Sequence, residues 1–155
     1  QLALATTREV VYLATAQARD AEMSERIAHH RARRPAQWLC VEEPLALAAA
    51  LRRQAHADRC VLVDCLTLWL SNVLGDPDPA CFERERADLL ETLPQLPGEI
   101  LLVSNEVGLG IVPMGALARR FVDEAGRLHQ ALAGCCERVI FVAAGLPLIL
   151  KGPAP

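Results

Sequence analysis

Aromatic side chains are scarce in this chain, 4% of 155 residues, with one Tyr, two Trp and three Phe. Any core must therefore be aliphatic, and Trp38 and Trp69 read as packing groups rather than platforms for stacked bases. Charge of one sign is also lacking: 16 basic residues stand against 19 acidic ones, a formal net charge of -3. That balance argues against a general nucleic-acid or anionic-membrane surface, while leaving room for a local arginine pocket that takes phosphate. No apolar run reaches the length of a membrane span, and no signal peptide is visible, so the cytoplasm is the expected compartment. The six cysteines include no CxxC pair. Cys60 and Cys65 bracket an apolar run and Cys135 and Cys136 are adjacent, so neither a zinc site nor a thioredoxin-like centre is supported. Buried thiols in a reducing compartment are the simpler reading.

What is abundant is aliphatic: 52% of the residues are apolar, enough for one domain, 1–155, around a substantial core. Strand and helix patterns alternate along it. Strands are expected at 10–14 (VVYLA), near 38–41, at 60–64, 100–104 and 138–143. Helices are expected at 20–34, 44–54, 80–93 and 114–133. A mixed apolar segment fills 65–74, and the last stretch, GLPLILKGPAP, reads as a further edge strand before a Pro-containing tail. Continuous aliphatic runs, rather than polar/apolar alternation, imply strands covered on both faces. The fold class is α/β with a largely parallel sheet.

Ligands of such sheets gather beyond the carboxyl ends of the strands. Three ends carry candidate chemistry: Ala14–Thr15–Ala16, Asp64, and Ser104–Asn105–Glu106. Asp64 closes CVLVD; a carboxylate there can bind Mg²⁺ directly or through water, or simply start a turn. The loop VSNEVGLGIVP has neither Walker nor dinucleotide spacing, and serves either as a plain strand–helix connection or as a substrate-positioning loop.

The helix opened by Asp20, DAEMSERIAHHRARR, holds the densest chemistry. At about 100° per residue, Met23, Ile27 and His30 share one stripe, so His30 is expected to be a buried, hydrogen-bonded imidazole. His29 points elsewhere, among arginines, where it can be nucleophile, proton carrier or ligand. Arg31, Arg33 and Arg34 fit a nucleotide phosphate, or merely favour the helix dipole. Glu42 and Glu43 fit ribose hydroxyls or metal-bound water, or solvated acids at a helix start. His129 reads as a surface or interface histidine.

Taken in order, YLATAQARDAEMSERIAHHRARRPAQW, LVDCLTLWLSN, VSNEVGLGIVP, RRFVDEAGRLHQ and GLPLILKG resemble the bifunctional adenosylcobinamide kinase/adenosylcobinamide-phosphate guanylyltransferase family of cobalamin biosynthesis. The resemblance covers nearly the whole chain. It implies a P-loop NTPase-like (RecA-like) sheet, ATP and GTP as substrates with Mg²⁺, adenosylcobinamide and its phosphate as acceptors, and a homotrimer. It makes His29 the guanylylated nucleophile. Ala14, Thr15, Ala16, Arg31, Ala32, Arg33, Arg34, Glu42 and Asp64 become nucleotide-contacting positions, with Asp64 also holding the metal. The family normally begins with a strand and a GGxRSGKS phosphate loop a few residues before the position of Gln1. That segment is absent from these 155 residues, so the resemblance implies a longer native chain. Cys40 stands where the family often has Thr, and His129 where Asn is frequent. Two other readings use the same residues: an NTP-dependent small-molecule kinase without guanylyl transfer, and a noncatalytic nucleotide-binding assembly subunit.

Overall fold

The computed structural model describes residues 1–153, which divide into two compact units, one running from residue 3 to 105 and one from 106 onward. The first unit takes in all but the first residue of the short α1 (Leu2–Ala5), followed by β1 (Glu9–Ala14), α2 (Ala21–Ala32), β2 (Leu39–Glu42), α3 (Leu47–Gln54) and β3 (Arg59–Asp64). It continues through α4 (Leu66–Leu74), α5 (Cys81–Thr92), a 3-10 turn (Leu93–Gln95) and β4 (Glu99–Val103). Its four strands form one wholly parallel sheet in the order β2-β1-β3-β4. The α/β class and the parallel sheet read from the sequence are therefore present.

The two faces of this sheet differ. On one side Val11, Leu13, Val61 and Val63 are buried, as are Leu47 and Leu51 of α3, Leu66, Trp69 and Leu70 of α4, and Phe82 and Leu89 of α5. Each such side chain contributes about 1.5–3 kcal/mol by leaving water. The 65–74 segment, which periodicity left unassigned, is helix α4 because four of its apolar residues are buried and its Trp69 indole donates 2.8 Å to the Leu45 carbonyl. On the other side a smaller cluster, Ala3, Val10 and Cys60 with Trp38, Leu62 and Leu101, covers only the amino-terminal half of the strands. Their carboxyl ends on this side carry the acids Glu42 and Asp64, with Ala14 between them and the exposed Val103 beyond. Gly98 makes the turn into β4 at φ +83°, where an added Cβ would lie 2.1 Å from the His56 carbonyl oxygen; only glycine fits there.

The second unit contains α6 (Ala116–Cys135) and the hairpin β5 (Val139–Ala143) and β6 (Leu146–Lys151). β6 is the strand expected from GLPLILK; it pairs antiparallel with β5 in a separate two-stranded sheet. Ala144 and Gly145 both adopt positive φ, which gives the turn the twist that a two-residue hairpin requires. Ala125, Leu128 and Leu132 are buried along α6. At its last turn the Lys151 ammonium donates to the carbonyls of Ala133 (2.8 Å) and Gly134 (3.3 Å), where a cation also complements the helix dipole. Pro155, at the end of the expected tail, lies outside the described residues. No helix among the described residues is long and apolar enough to cross a membrane.

Candidate active site

In the order β2-β1-β3-β4, the crossover after β1 runs one way along the sheet and the crossover after β3 runs the other. Their carboxyl ends flank the switch point, where open α/β sheets place ligands. Register fixes what stands there. Ala14 pairs with Glu42 on one side and with Asp64 on the other. The two carboxylates thus project at the same level of the same face, two strand spacings or roughly 10 Å apart.

Tyr12 lies two residues before Ala14, and so on the same face. Its hydroxyl donates to Asp64 Oδ2 at 2.5 Å across the β1–β3 boundary. Burial, and then the bond to Asp64 and that carboxylate's negative charge, hold the phenol well above its ordinary titration range; the Arg34 guanidinium opposes them. Arg34 lies with Cζ 4.0 Å from the Tyr12 ring centroid, and its Nη1 donates to Cys40 Sγ at 2.8 Å. Arg31, one helical turn earlier, pairs with Glu42. That pair is more than half exposed and contributes at most about 1 kcal/mol. Its effect is to position the helix end over the sheet.

Behind this surface the chain is held rigidly. Thr15 is fully buried; its hydroxyl donates to the Cys65 carbonyl at 2.7 Å and accepts from the Cys65 N–H at 3.0 Å. Thr15 N–H donates to the Asp64 carbonyl, and the Asn72 amide donates to the carbonyls of Thr15 (2.8 Å) and Pro44 (3.1 Å). Ala14 and Ala16 are half-buried on either side. Glu43 accepts from the N–H groups of Leu45 and Ala46, so it is the helix-start acid, whereas Glu42 points at Arg31.

Helix α2 starts as the sequence predicts, with the Asp20 carboxylate accepting from Met23 N–H at 2.7 Å. It buries no residue fully. Met23 and Ile27 are half-buried, while His29 and His30 are both exposed beside a shallow hollow lined by Glu22, Glu25 and Arg26. The expectation of a buried His30 is thus corrected. The apolar stripe stops at Ile27, and the last turn is held by arginine contacts rather than by burial. Ala32 ends the helix, and Arg33 is its exposed C-cap.

The structure brings together Asp64, Glu42, Arg31, Arg34 and the Ala14–Ala16 segment. It adds Tyr12 and Asn72, which sequence reasoning passed over. Tyr12 had one signal: the only phenol in the chain sits in an aliphatic strand, and a buried hydroxyl needs a partner. Thr67 and Asn105 are also linked, the Asn105 N–H donating to Thr67 Oγ1 at 3.0 Å. In the second unit, Glu106 accepts from Gly108 N–H, and its other oxygen lies 3.6 Å from His129 Nδ1.

No group of three or more His, Cys, Asp or Glu side chains that could hold a metal occurs among the described residues. One hard carboxylate, Asp64, stands at the switch point with Oδ2 bonded to Tyr12. That fits an ion carried mainly on phosphate oxygens and steadied by one or two carboxylates, the usual habit of Mg²⁺.

The fold defines an α/β protein whose candidate ligand position is the carboxyl edge of a parallel sheet, at its switch point. Comparison of the sequence with known families narrows the class. The chain matches the cobinamide kinase / cobinamide phosphate guanyltransferase family over residues 1–150 and belongs to it. It is 63% identical over 152 residues to the bifunctional adenosylcobalamin biosynthesis protein CobP of Pseudomonas aeruginosa, covering 98% of this chain and 88% of that one. It is also similar to the bifunctional adenosylcobalamin biosynthesis proteins CobU of Escherichia coli and of Salmonella typhimurium. These are 36% and 37% identical over 156 residues, in each case covering 92% of this chain and 86% of the relative.

Proposed function

We propose that this protein is an adenosylcobinamide kinase and adenosylcobinamide-phosphate guanylyltransferase that works through a histidine–GMP intermediate on His29. The observation that carries the reading is the placement of that histidine. It is exposed on α2, two residues before Arg31, in a helix end that Arg31 and Arg34 tie to the sheet. Membership of the family supports both reactions. The sheet is read as the P-loop NTPase (RecA-like) type, which agrees with its parallel order and its carboxyl-edge acid.

In the first reaction the γ-phosphoryl group of ATP or GTP moves to the hydroxyl of the aminopropanol arm of adenosylcobinamide. In the second, the unprotonated ring nitrogen of His29 attacks the α-phosphorus of GTP. A P–N bond forms as the bond to the β-phosphate bridging oxygen breaks, and pyrophosphate leaves. A phosphate oxygen of adenosylcobinamide phosphate then attacks the same phosphorus. The P–N bond breaks, the imidazole is restored and adenosylcobinamide-GDP forms. Arg33, exposed at the helix end, and Arg31 and Arg34 beside it offset charge on the transferring and leaving phosphates. Ala14 and Ala16 supply the backbone edge of the nucleotide site, and Thr15, buried behind them, holds that edge in place through Cys65 and Asn72; Ala32 keeps the helix end slim, and Glu42 faces ribose or metal-bound water. When bound, Mg²⁺ supplies charge neutralisation on the triphosphate, and Asp64 is the side chain that would hold it.

A homotrimer is part of the proposal. Leu109, Ile111, Val112, Met114 and Leu117 are all at least 69% exposed, a run of apolar surface that a subunit contact would cover. Light scattering of the native protein reads this directly. The functional reading is tested by incubating the native full-length protein with GTP and Mg²⁺ and measuring intact mass. Gain of one GMP, localised to the peptide carrying His29, is the expected result; turnover without an adduct would leave only a kinase.

A further inference from the structure

We infer that Tyr12 is a positioning residue for Asp64, aiming its free carboxylate oxygen at the bound nucleotide's divalent ion; this rests on the functional reading above. The geometry is specific. Tyr12 pairs in register with Leu62 and Ala14 with Asp64, so the phenol reaches its carboxylate diagonally across the two strands that bound the switch point. The bond is short, 2.5 Å, and it engages Oδ2. A carboxylate held by one oxygen has a fixed plane, and its Oδ1 direction is then set by the backbone of β3 and the ring of Tyr12. The ring itself cannot swing: it is 7% exposed and Arg34 lies against it at 4.0 Å. Phenylalanine would fill the same space and stack under the same guanidinium. Packing therefore explains the ring but not the hydroxyl.

A partner that orients a metal-binding side chain affects ion affinity with little effect on the fold, typically by about 10-fold or more when removed. Tyr12→Phe in the native full-length protein is expected to raise the half-saturating Mn²⁺ concentration for GTP-dependent ion binding, followed by electron paramagnetic resonance, by roughly 10-fold. GTP affinity without divalent ion should change less than about 2-fold, and the melting temperature should stay close to that of the parent. Combining Tyr12→Phe with Asp64→Asn tests the route. If Tyr12 acts through Asp64, the double variant binds the ion no more weakly than Asp64→Asn alone, a non-additivity expected only of coupled residues. Additive losses, or an unchanged ion affinity in Tyr12→Phe, would overturn the inference.

Should Tyr12→Phe fail to fold, ¹³Cζ-labelled tyrosine gives a second measurement, since these 155 residues hold one tyrosine. Its signal should move when Mg²⁺ and GTP are added together and stay still in Asp64→Asn; a signal unmoved in the parent protein refutes the inference. The two levels separate cleanly. A protein that forms the His29 adduct but shows no Tyr12 effect on ion affinity loses only the positioning role. One that shows the Tyr12–Asp64 coupling but never forms an adduct loses the guanylyltransferase reading.

Discussion

The Arg34 guanidinium carbon lies over the Tyr12 ring, 4.0 Å from its centre, and so holds the chain just after the last turn of α2 to the middle of the sheet. His29 belongs to that turn. The proposed nucleophile is thus carried on a helix end whose position depends on a cation resting on a phenol.

His29→Ala is expected to abolish the GMP adduct and pyrophosphate release while leaving transfer to the adenosylcobinamide hydroxyl in place. Because the ring is exposed, stability should change by less than about 0.5 kcal/mol. Intact mass and a urea titration check the two halves. Undiminished pyrophosphate release would remove His29 from the mechanism.

Arg34→Ala should both loosen α2 and weaken nucleotide binding. Loss of the stacked cation costs about 0.5–1 kcal/mol. Loss of a phosphate partner should weaken GTP by roughly 10-fold. Arg34→Lys should recover little of the second effect, because an ammonium cannot reproduce the planar fork. Calorimetric titration with GTP is the measurement.

Thr15→Val keeps the shape of a fully buried side chain but removes the hydroxyl that serves both the N–H and the carbonyl of Cys65. Leaving those groups without partners costs about 1–3 kcal/mol. The unfolding midpoint in urea should fall accordingly with little change in slope. Any activity loss here would follow from displacement of Asp64 next door.

Much of the fold could be read from residue order, because aliphatic runs and capping residues act locally. Asp20 capped its helix, the strand ending in Asp64 ended there, and GLPLILK became a strand. Residue order fails where the answer depends on which strand lies beside which. Tyr12 has no chemistry until β1 and β3 are in register, and Leu66–Leu74 is apolar enough to suit either element until its burial is known. The mistake at His30 has the same origin: periodicity names a stripe, but only packing decides how far along a helix the stripe is used. Thr67 and Asn105, from separate motifs, likewise meet only in three dimensions.

The pair Arg52–Asp88 gives a pH test away from the site. Its guanidinium donates to both Asp88 oxygens, at 2.7 and 2.9 Å. This bond is the main cause holding the Asp88 carboxyl below the ordinary range. A carboxylate with a lowered folded-state value adds stability above the unfolded value, about pH 4. That contribution is lost as pH falls through the lower folded-state value. Asp88→Asn should therefore remove part of the acid-side decline below about pH 4, measured by thermal melts across pH. The pair is largely exposed, so salt should shrink the difference.

A helix without one fully buried side chain is fastened by charges and a cap, and such attachments open more readily than a packed seam. Amide hydrogens of Ala21–Ala32 should therefore trade with solvent deuterium well before those of Leu47–Gln54, whose leucines are sealed in. Raising ionic strength should widen that gap, which makes the segment bearing His29 the movable piece set against a stiff sheet.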